Sequence, residues 1–152
     1  MSSLKLPIIG LLNGPNLNRL GERQTEIYGK VTLSAIEETL RKQALLAGFG
    51  LDSFQSNHEG ELIDTLWAWH DKGISGILFN PGGLCHTSVS LHDAILGIHL
   101  PVIEVHLSAI EAREDFRRES LTARACRDCI SGFGAVSYEM ALAALLKILP
   151  VA

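Results

Sequence analysis

The chain has 152 residues, 47% hydrophobic and 20% charged, which is enough apolar material for one domain with a buried core and excludes a wholly disordered chain. Thirteen Lys and Arg against seventeen Asp and Glu leave a formal charge of −4; this argues against nucleic-acid binding as the main task but leaves room for a small anion in a local pocket. The longest apolar run, Met140 to Leu146, falls far short of the roughly 20 residues of a membrane helix, and no signal-peptide pattern surrounds Lys5 and Pro7, so a soluble, cytoplasmic protein without nucleic-acid or membrane partners is expected.

Leu6 to Leu12 reads as a buried strand closed by Asn13-Gly14-Pro15-Asn16. Residues 13–30, with Gly14, Gly21 and Gly29, read as a long loop, and such loops are usually functional or mobile. Ser34-x-x-Glu37 resembles a capping box, and Leu33, Ile36 and Leu40 continue at helical spacing until Gly48. Leu51 to Gln55 is a short strand. Glu61 to Lys72 is a helix burying Leu62, Ile63, Leu66 and Trp69, stopped by Gly73.

Ile74 to Phe79 is a second clear buried strand, and Asn80-Pro81-Gly82-Gly83 turns it into a helix carrying Leu91, Ala94, Ile95 and Ile98. Pro101 to Val105 is the fourth strand. The charged segment Glu111 to Arg118 is expected to be helical, Cys129 to Phe133 a last strand, and Ala135 to Leu149 a last helix ended by Pro150. Between Cys129 and Leu146 the one charged residue is Glu139, so the final helix is deeply buried or part of a subunit interface.

Strands alternating with helices predict an α/β fold, a doubly wound five-stranded parallel sheet with helices on both faces, over a single domain 1–152. Ligands in such folds sit at the carboxyl ends of the strands. Three strand ends are therefore suspect: Asn13 to Asn16, Asn80 to His86, and His106 to Ser108.

His86 follows a glycine turn near a helix start, which favours a neutral imidazole or an anionic ligand. His106 ends a strand beside Glu104, a pairing that suits a general acid. Both could equally be hydrogen-bonded structural histidines. His92, His99 and His106 fall on different elements, so no metal site is expected. Arg113 and Arg117, four apart, would share a helix face and could clamp a carboxylate, or simply belong to a solvated salt-bridged helix. In the loop, Arg23 beside Tyr28 would favour a phenolate able to act as a base. Cys126-x-x-Cys129 invites a redox or zinc reading, but it lacks partner ligands, and an odd cysteine count makes no disulfide framework; reduced structural thiols are expected.

Together these segments resemble the type II 3-dehydroquinate dehydratases. The resemblance is carried by Asn13-Gly-Pro-Asn-Leu-Asn-Arg-Leu-Gly21, Arg23 to Gly29, Gln55-Ser-Asn-His-Glu-Gly-Glu-Leu62, Asn80-Pro-Gly-Gly83, His86-Thr-Ser-Val89, Ile103-Glu-Val-His-Leu-Ser108 and Arg113-Glu-Asp-Phe-Arg117. Motifs this long, in this order, do not agree by chance.

The resemblance implies a flavodoxin-like fold, a homododecamer built as a tetramer of trimers, and no cofactor or metal. It implies anti elimination of water from 3-dehydroquinate through an enolate, in aromatic biosynthesis or in quinate breakdown. The base maps onto Tyr28 on a lid of about residues 18–30, its guanidinium partner onto Arg23, and the asparagine that holds a water at the enolate onto Asn16. The acid maps onto His106, supported by Glu104. Substrate contacts map onto Asn80, His86, Leu107, Ser108 and Arg117, with Arg113 as a lid arginine and Asp93 reaching in from a neighbouring subunit.

Three positions depart from that pattern. Thr25 stands where a proline is usual and should loosen the lid, Cys85 stands where threonine is frequent and puts support of His86 in doubt, and Ser137 replaces a common glycine. A flavin- or nucleotide-binding module is the alternative from another class, but no G-x-G-x-x-G or Walker sequence follows the first strand. A catalytically dead homologue is disfavoured because every mapped position is filled.

Overall fold

The computed structural model describes residues 3–150. Five strands form one parallel sheet: β1 (Ile8–Asn13), β2 (Gly50–Gln55), β3 (Gly76–Asn80), β4 (Val102–His106) and β5 (Asp128–Ser131), in the order β2-β1-β3-β4-β5. The helices are α1 (Thr25–Tyr28), α2 (Leu33–Leu46), α3 (Glu59–Lys72), α4 (Val89–Ile98) and α5 (Val136–Ile148). Burial follows place in the sheet. The inner strands β3 and β4 are buried throughout and β1 nearly so, whereas edge strand β2, Gly-Leu-Asp-Ser-Phe-Gln, alternates towards solvent.

Side chains alternate across each strand and so build two cores. Ile9, Leu11, Leu78, Ile103 and Val105 pack with Ile36, Leu40 and Ala44 of α2 and with Ala141, Leu142 and Leu145 of α5. Leu12, Ile77, Phe79 and Val102 face the other way, onto Leu62, Leu66 and Trp69 of α3 and Leu91, Ile95 and Ile98 of α4. The expected doubly wound sheet with helices on both faces is therefore what the chain forms.

The strands begin one or two residues later than the apolar runs do at β1, β3 and β4, because each run starts in the approach to the sheet. The helix over 33–46 is not capped by Ser34. Thr32 is the N-cap, its hydroxyl accepting from the Ala35 N–H at 3.2 Å. The loop after β1 is not fully irregular: a 3-10 turn covers Leu17–Arg19, and α1 occupies Thr25–Tyr28. Nor is Glu111 to Arg118 a helix. It divides into 3-10 turns over Ile110–Ala112 and Asp115–Arg117, with Arg113 extended between them (ψ −156°). Only Ile110 of these turns is buried, so no apolar stripe exists to hold a helix against the sheet.

Gly10 in β1 is required by packing. A Cβ there would lie 2.5 Å from the Trp69 indole, whose Nε1–H donates to Asp52 at 3.2 Å. Gly10→Ala should lower unfolding stability by about 1–3 kcal/mol through overpacking. A shift of the urea midpoint at unchanged m-value is the expected result.

Candidate active site

β1 and β3 are neighbours, but the chain leaves them in opposite directions, which opens a crevice at their carboxyl ends. Asn13 and Asn80 face each other in register at that opening, and both are buried. The Tyr138 hydroxyl of α5 joins them, donating to Asn13 Oδ1 at 2.6 Å and accepting from Asn80 Nδ2 at 2.8 Å. Asn80 Oδ1 in turn accepts from the Gly82 N–H at 3.1 Å. Asn13 Nδ2 has no protein partner, and turning that amide over would only leave the tyrosine proton without an acceptor. The two loops touch beyond these side chains. The Gly14 N–H donates to Asn80 O at 2.7 Å, and a Cβ on Gly14 would sit 2.5 Å from Pro81 O.

The cleft above this junction has a cavity of about 120 Å³ and takes its walls from separate segments. Asn16, Arg23 and Tyr28 come from the loop after β1. Asn80 and His86 follow β3, and His106, Leu107, Ser108, Arg113 and Arg117 follow β4. Asn16 adopts φ +69°, a left-handed conformation asparagine tolerates, and its N–H donates to Asn57 Oδ1 at 2.9 Å.

Tyr28 lies between two guanidinium groups. Arg113 Nη1 donates to its hydroxyl at 2.8 Å and also to Ser108 Oγ at 3.3 Å. Arg23 does not bond that hydroxyl. Its guanidinium lies over the ring, with Cζ 4.6 Å from the centroid, and donates to Gln24 at 3.2 Å. The arginine in direct contact with the phenol oxygen is thus Arg113, which the sequence suggested as half of a clamp with Arg117. The two arginines do not share a helix face; Arg117 reaches the cleft from the following turn and is paired with Glu114 at 2.8 Å.

At the end of β4, His106 Nε2 donates to Glu104 Oε2 at 2.9 Å. The Glu104 carboxylate is fully buried. It also accepts from Ser120 Oγ at 2.7 Å and from the Thr122 hydroxyl, while Cys129 Sγ stands 3.8 Å away. A buried carboxylate is tolerable only with such partners.

His86 ends a 3-10 turn two residues before Ser88, the α4 cap, and so lies just before a helix start as expected. Its Nδ1 bonds the Glu119 carbonyl at 2.7 Å, so the ring is supported by that carbonyl and not by the side chain of Cys85. Ser137 accepts from the Phe133 N–H at 2.9 Å and so finds a use in the turn into α5. Thr25 follows Gln24, whose φ of +37° is a conformation that a proline at 25 would disfavour. Asp93 does not join the cleft. It lies exposed on α4, paired with His92 at 3.0 Å.

The three cysteines are free. Burial, with the Glu104 charge second, pushes the Cys85 and Cys129 thiols up to about 12 and moves Cys126 in the same direction. Tyr138, Ser120 and Thr122 went unnoticed in the sequence. Tyr138 could have been found as the one phenol in an apolar helix, but the hydroxyls lie 16 and 18 residues from Glu104, a contact no periodicity reveals.

Residues 7–146 match the family model described as "Dehydroquinase class II". The chain belongs to the class II dehydroquinase family. It is 52% identical over 137 residues to a 3-dehydroquinate dehydratase of Bacillus cytotoxicus, covering 90% of this chain and 93% of that one. Against the enzyme of the same name from Halorhodospira halophila it is 50% identical over 142 residues, covering 93% and 96%. The crystal structure of a type II dehydroquinase from Butyrivibrio crossotus superposes with a TM-score of 0.90 at 36% identity, covering 92% of this chain and 97% of that chain. The flavodoxin-like fold expected from the resemblance is thereby shown.

Two outcomes follow from this geometry. Tyr138→Phe leaves Asn13 Oδ1 and Asn80 Nδ2 short of a partner in a buried place, and should cost about 1–3 kcal/mol in chemical denaturation. In the native protein Cys85 and Cys129 should alkylate far more slowly at pH 8 than free cysteine, with labelling becoming fast on unfolding, as mass spectrometry after timed iodoacetamide treatment would read.

Proposed function

We propose that the cleft dehydrates 3-dehydroquinate to 3-dehydroshikimate, with Tyr28 as base and His106 as acid. The single observation carrying this reading is that an arginine-bonded phenol and a carboxylate-bonded imidazole line one cleft. The family membership and the names of the relatives at about 50% identity support the substrate.

A hydrogen on carbon next to a ketone is acidic because its loss gives an enolate. The phenolate of Tyr28 takes that proton, its negative charge stabilised beforehand by Arg113 N–H and by Arg23 over the ring. Asn16 holds the water that stabilises the enolate oxygen. The enolate then expels the β-hydroxyl, which leaves as water with a proton from His106. Glu104 fixes the imidazole by taking its Nε2–H, so the proton delivered to the leaving hydroxyl is the one on Nδ1 of the doubly protonated ring. Asn80, His86, the Leu107 and Ser108 amides and Arg117 hold the carboxylate and hydroxyls of the substrate. No cofactor or metal takes part in these steps.

The whole chain acts as one catalytic domain, with residues 18–30 as a lid that excludes water before proton abstraction. The working form is a homododecamer, a tetramer of trimers, in the cytoplasm, and serves the shikimate route to aromatic amino acids or the breakdown of quinate. Support comes from α4, where Val89, Asp93 and Leu96 share one exposed face at i, i+4 and i+7. Asp93 on that face would enter a neighbour's cleft.

Tyr28→Phe and His106→Ala should each lower turnover by about a hundredfold or more, measured by enone absorbance on adding 3-dehydroquinate. Near-normal turnover in either variant removes its role. Light scattering should return twelve subunits; a monomer with full activity would remove the role of Asp93.

A further inference from the structure

Around His106 the chain gathers a set of donors that the proposed dehydration uses only in part. Cys85 Sγ, a Glu104 carboxylate oxygen and a His106 ring nitrogen all lie within 4.8 Å of one another, and all three residues are buried. We propose that this trio binds a thiophilic divalent cation of the zinc type, and that occupation switches off the acid of the cleft. The binding half stands on geometry alone; the switching half rests on the function proposed above.

Three atoms no further than 4.8 Å apart share a centre within about 2.8 Å of each, close to Zn–S of about 2.3 Å and Zn–N or Zn–O of about 2.0–2.2 Å. Rotamer adjustments of about half an ångström or a little more close the difference. Thiolate, imidazole and carboxylate together select zinc-like ions over hard cations such as magnesium. Cys129 Sγ, 3.8 Å from the same carboxylate, lies outside the trio. The 3-10 turn after β3 supplies Cys85, and alternate residues of β4 supply the other two. The pleat of β4 holds Glu104 and His106 on one face, and the turn brings Cys85 to them before any ion arrives.

Without a cation the thiol keeps its proton, since burial and the Glu104 charge both oppose a thiolate. The resting pair of Glu104 and His106 is then undisturbed. An arriving cation displaces the Sγ–H proton to solvent and takes the carboxylate and imidazole as ligands. Where Nε2 is the nitrogen bound, its proton moves to Nδ1, its bond to Glu104 is lost and the carboxylate no longer orients the ring. His106 is the member of the trio that lines the cleft, so the ion enters from there, and substrate should slow its entry.

The test is equilibrium dialysis of the purified full chain against Zn²⁺, with turnover followed in parallel. The unsubstituted chain should hold one Zn²⁺ at least tenfold more tightly than Cys85→Ser, and Cys126→Ser should bind like the unsubstituted chain. Equal affinity in Cys85→Ser, or loss in Cys126→Ser instead, overturns the site. One equivalent of Zn²⁺ should stop turnover of the unsubstituted chain, and a chelator should restore it; tightly bound Zn²⁺ with unchanged turnover overturns the switch. Should Cys85→Ser fail to fold, NMR of the unsubstituted chain decides: His106 ring resonances must move on adding Zn²⁺, and unmoved resonances overturn the site. A chain that never turns over 3-dehydroquinate defeats the proposed function and leaves the dialysis result standing.

Discussion

The hydroxyl of Tyr138 ties together the ends of the two strands between which the cleft opens. Each bond it makes is worth only about 1 kcal/mol net, but each lost partner would strand a buried amide at about 1–3 kcal/mol. The constraint is geometric as much as energetic. Asn80 is held at both ends, its amide nitrogen by Tyr138 and its oxygen by the Gly82 N–H, so its amide has one orientation. Gly14 and Pro81 then touch so closely that no side chain fits between them. The loops bearing Asn16 on one side and His86 on the other are thereby referenced to one buried point.

A buried charge organises the wall at the end of β4. Glu104 sits on the face of β4 that it shares with Val102, turned towards the core under α4, where desolvation alone would expel it. Its tolerance depends on His106, Ser120 and Thr122 donating to it at once. The same arrangement sets the histidine, because a ring whose Nε2–H is committed to a carboxylate has one orientation and one nitrogen to offer. Stability and chemistry are thus not separable here: removing Glu104's partners would disturb both.

The pattern of apolar runs was enough to read the parallel sheet, because β1, β3 and β4 are buried on both faces and appear as continuous hydrophobic stretches. Helices α3 and α4 were equally legible from 3.6-residue spacing. The segment after β4 was not, since charges at i and i+4 look helical whether or not anything holds the helix down, and only Ile110 does so weakly. Among the cleft residues, those at strand ends were readable from topology. What stayed hidden were contacts between distant segments: Tyr138 lies 125 residues from Asn13, and Arg113 lies 85 from Tyr28. Arg23 was favoured for the phenol by sequence proximity, yet proximity placed it over the ring and left the hydroxyl to the more distant arginine.

That division between the two arginines bears on how the segment around Tyr28 is held. A four-residue helix has no stability of its own, since nucleation alone outweighs its few hydrogen bonds. None of its residues is fully buried, and it is bounded by Gln24 at φ +37° and Gly29 at φ +79°. Its position must come from tertiary contacts, chief among them the two guanidinium groups on Tyr28, one at the hydroxyl and one on the ring face. The interaction that docks the segment is therefore the one that sets two guanidinium groups against its phenol. In the proposed reaction a base carried this way works only with its loop in place, so Arg113 would couple the docking of the segment to the chemistry.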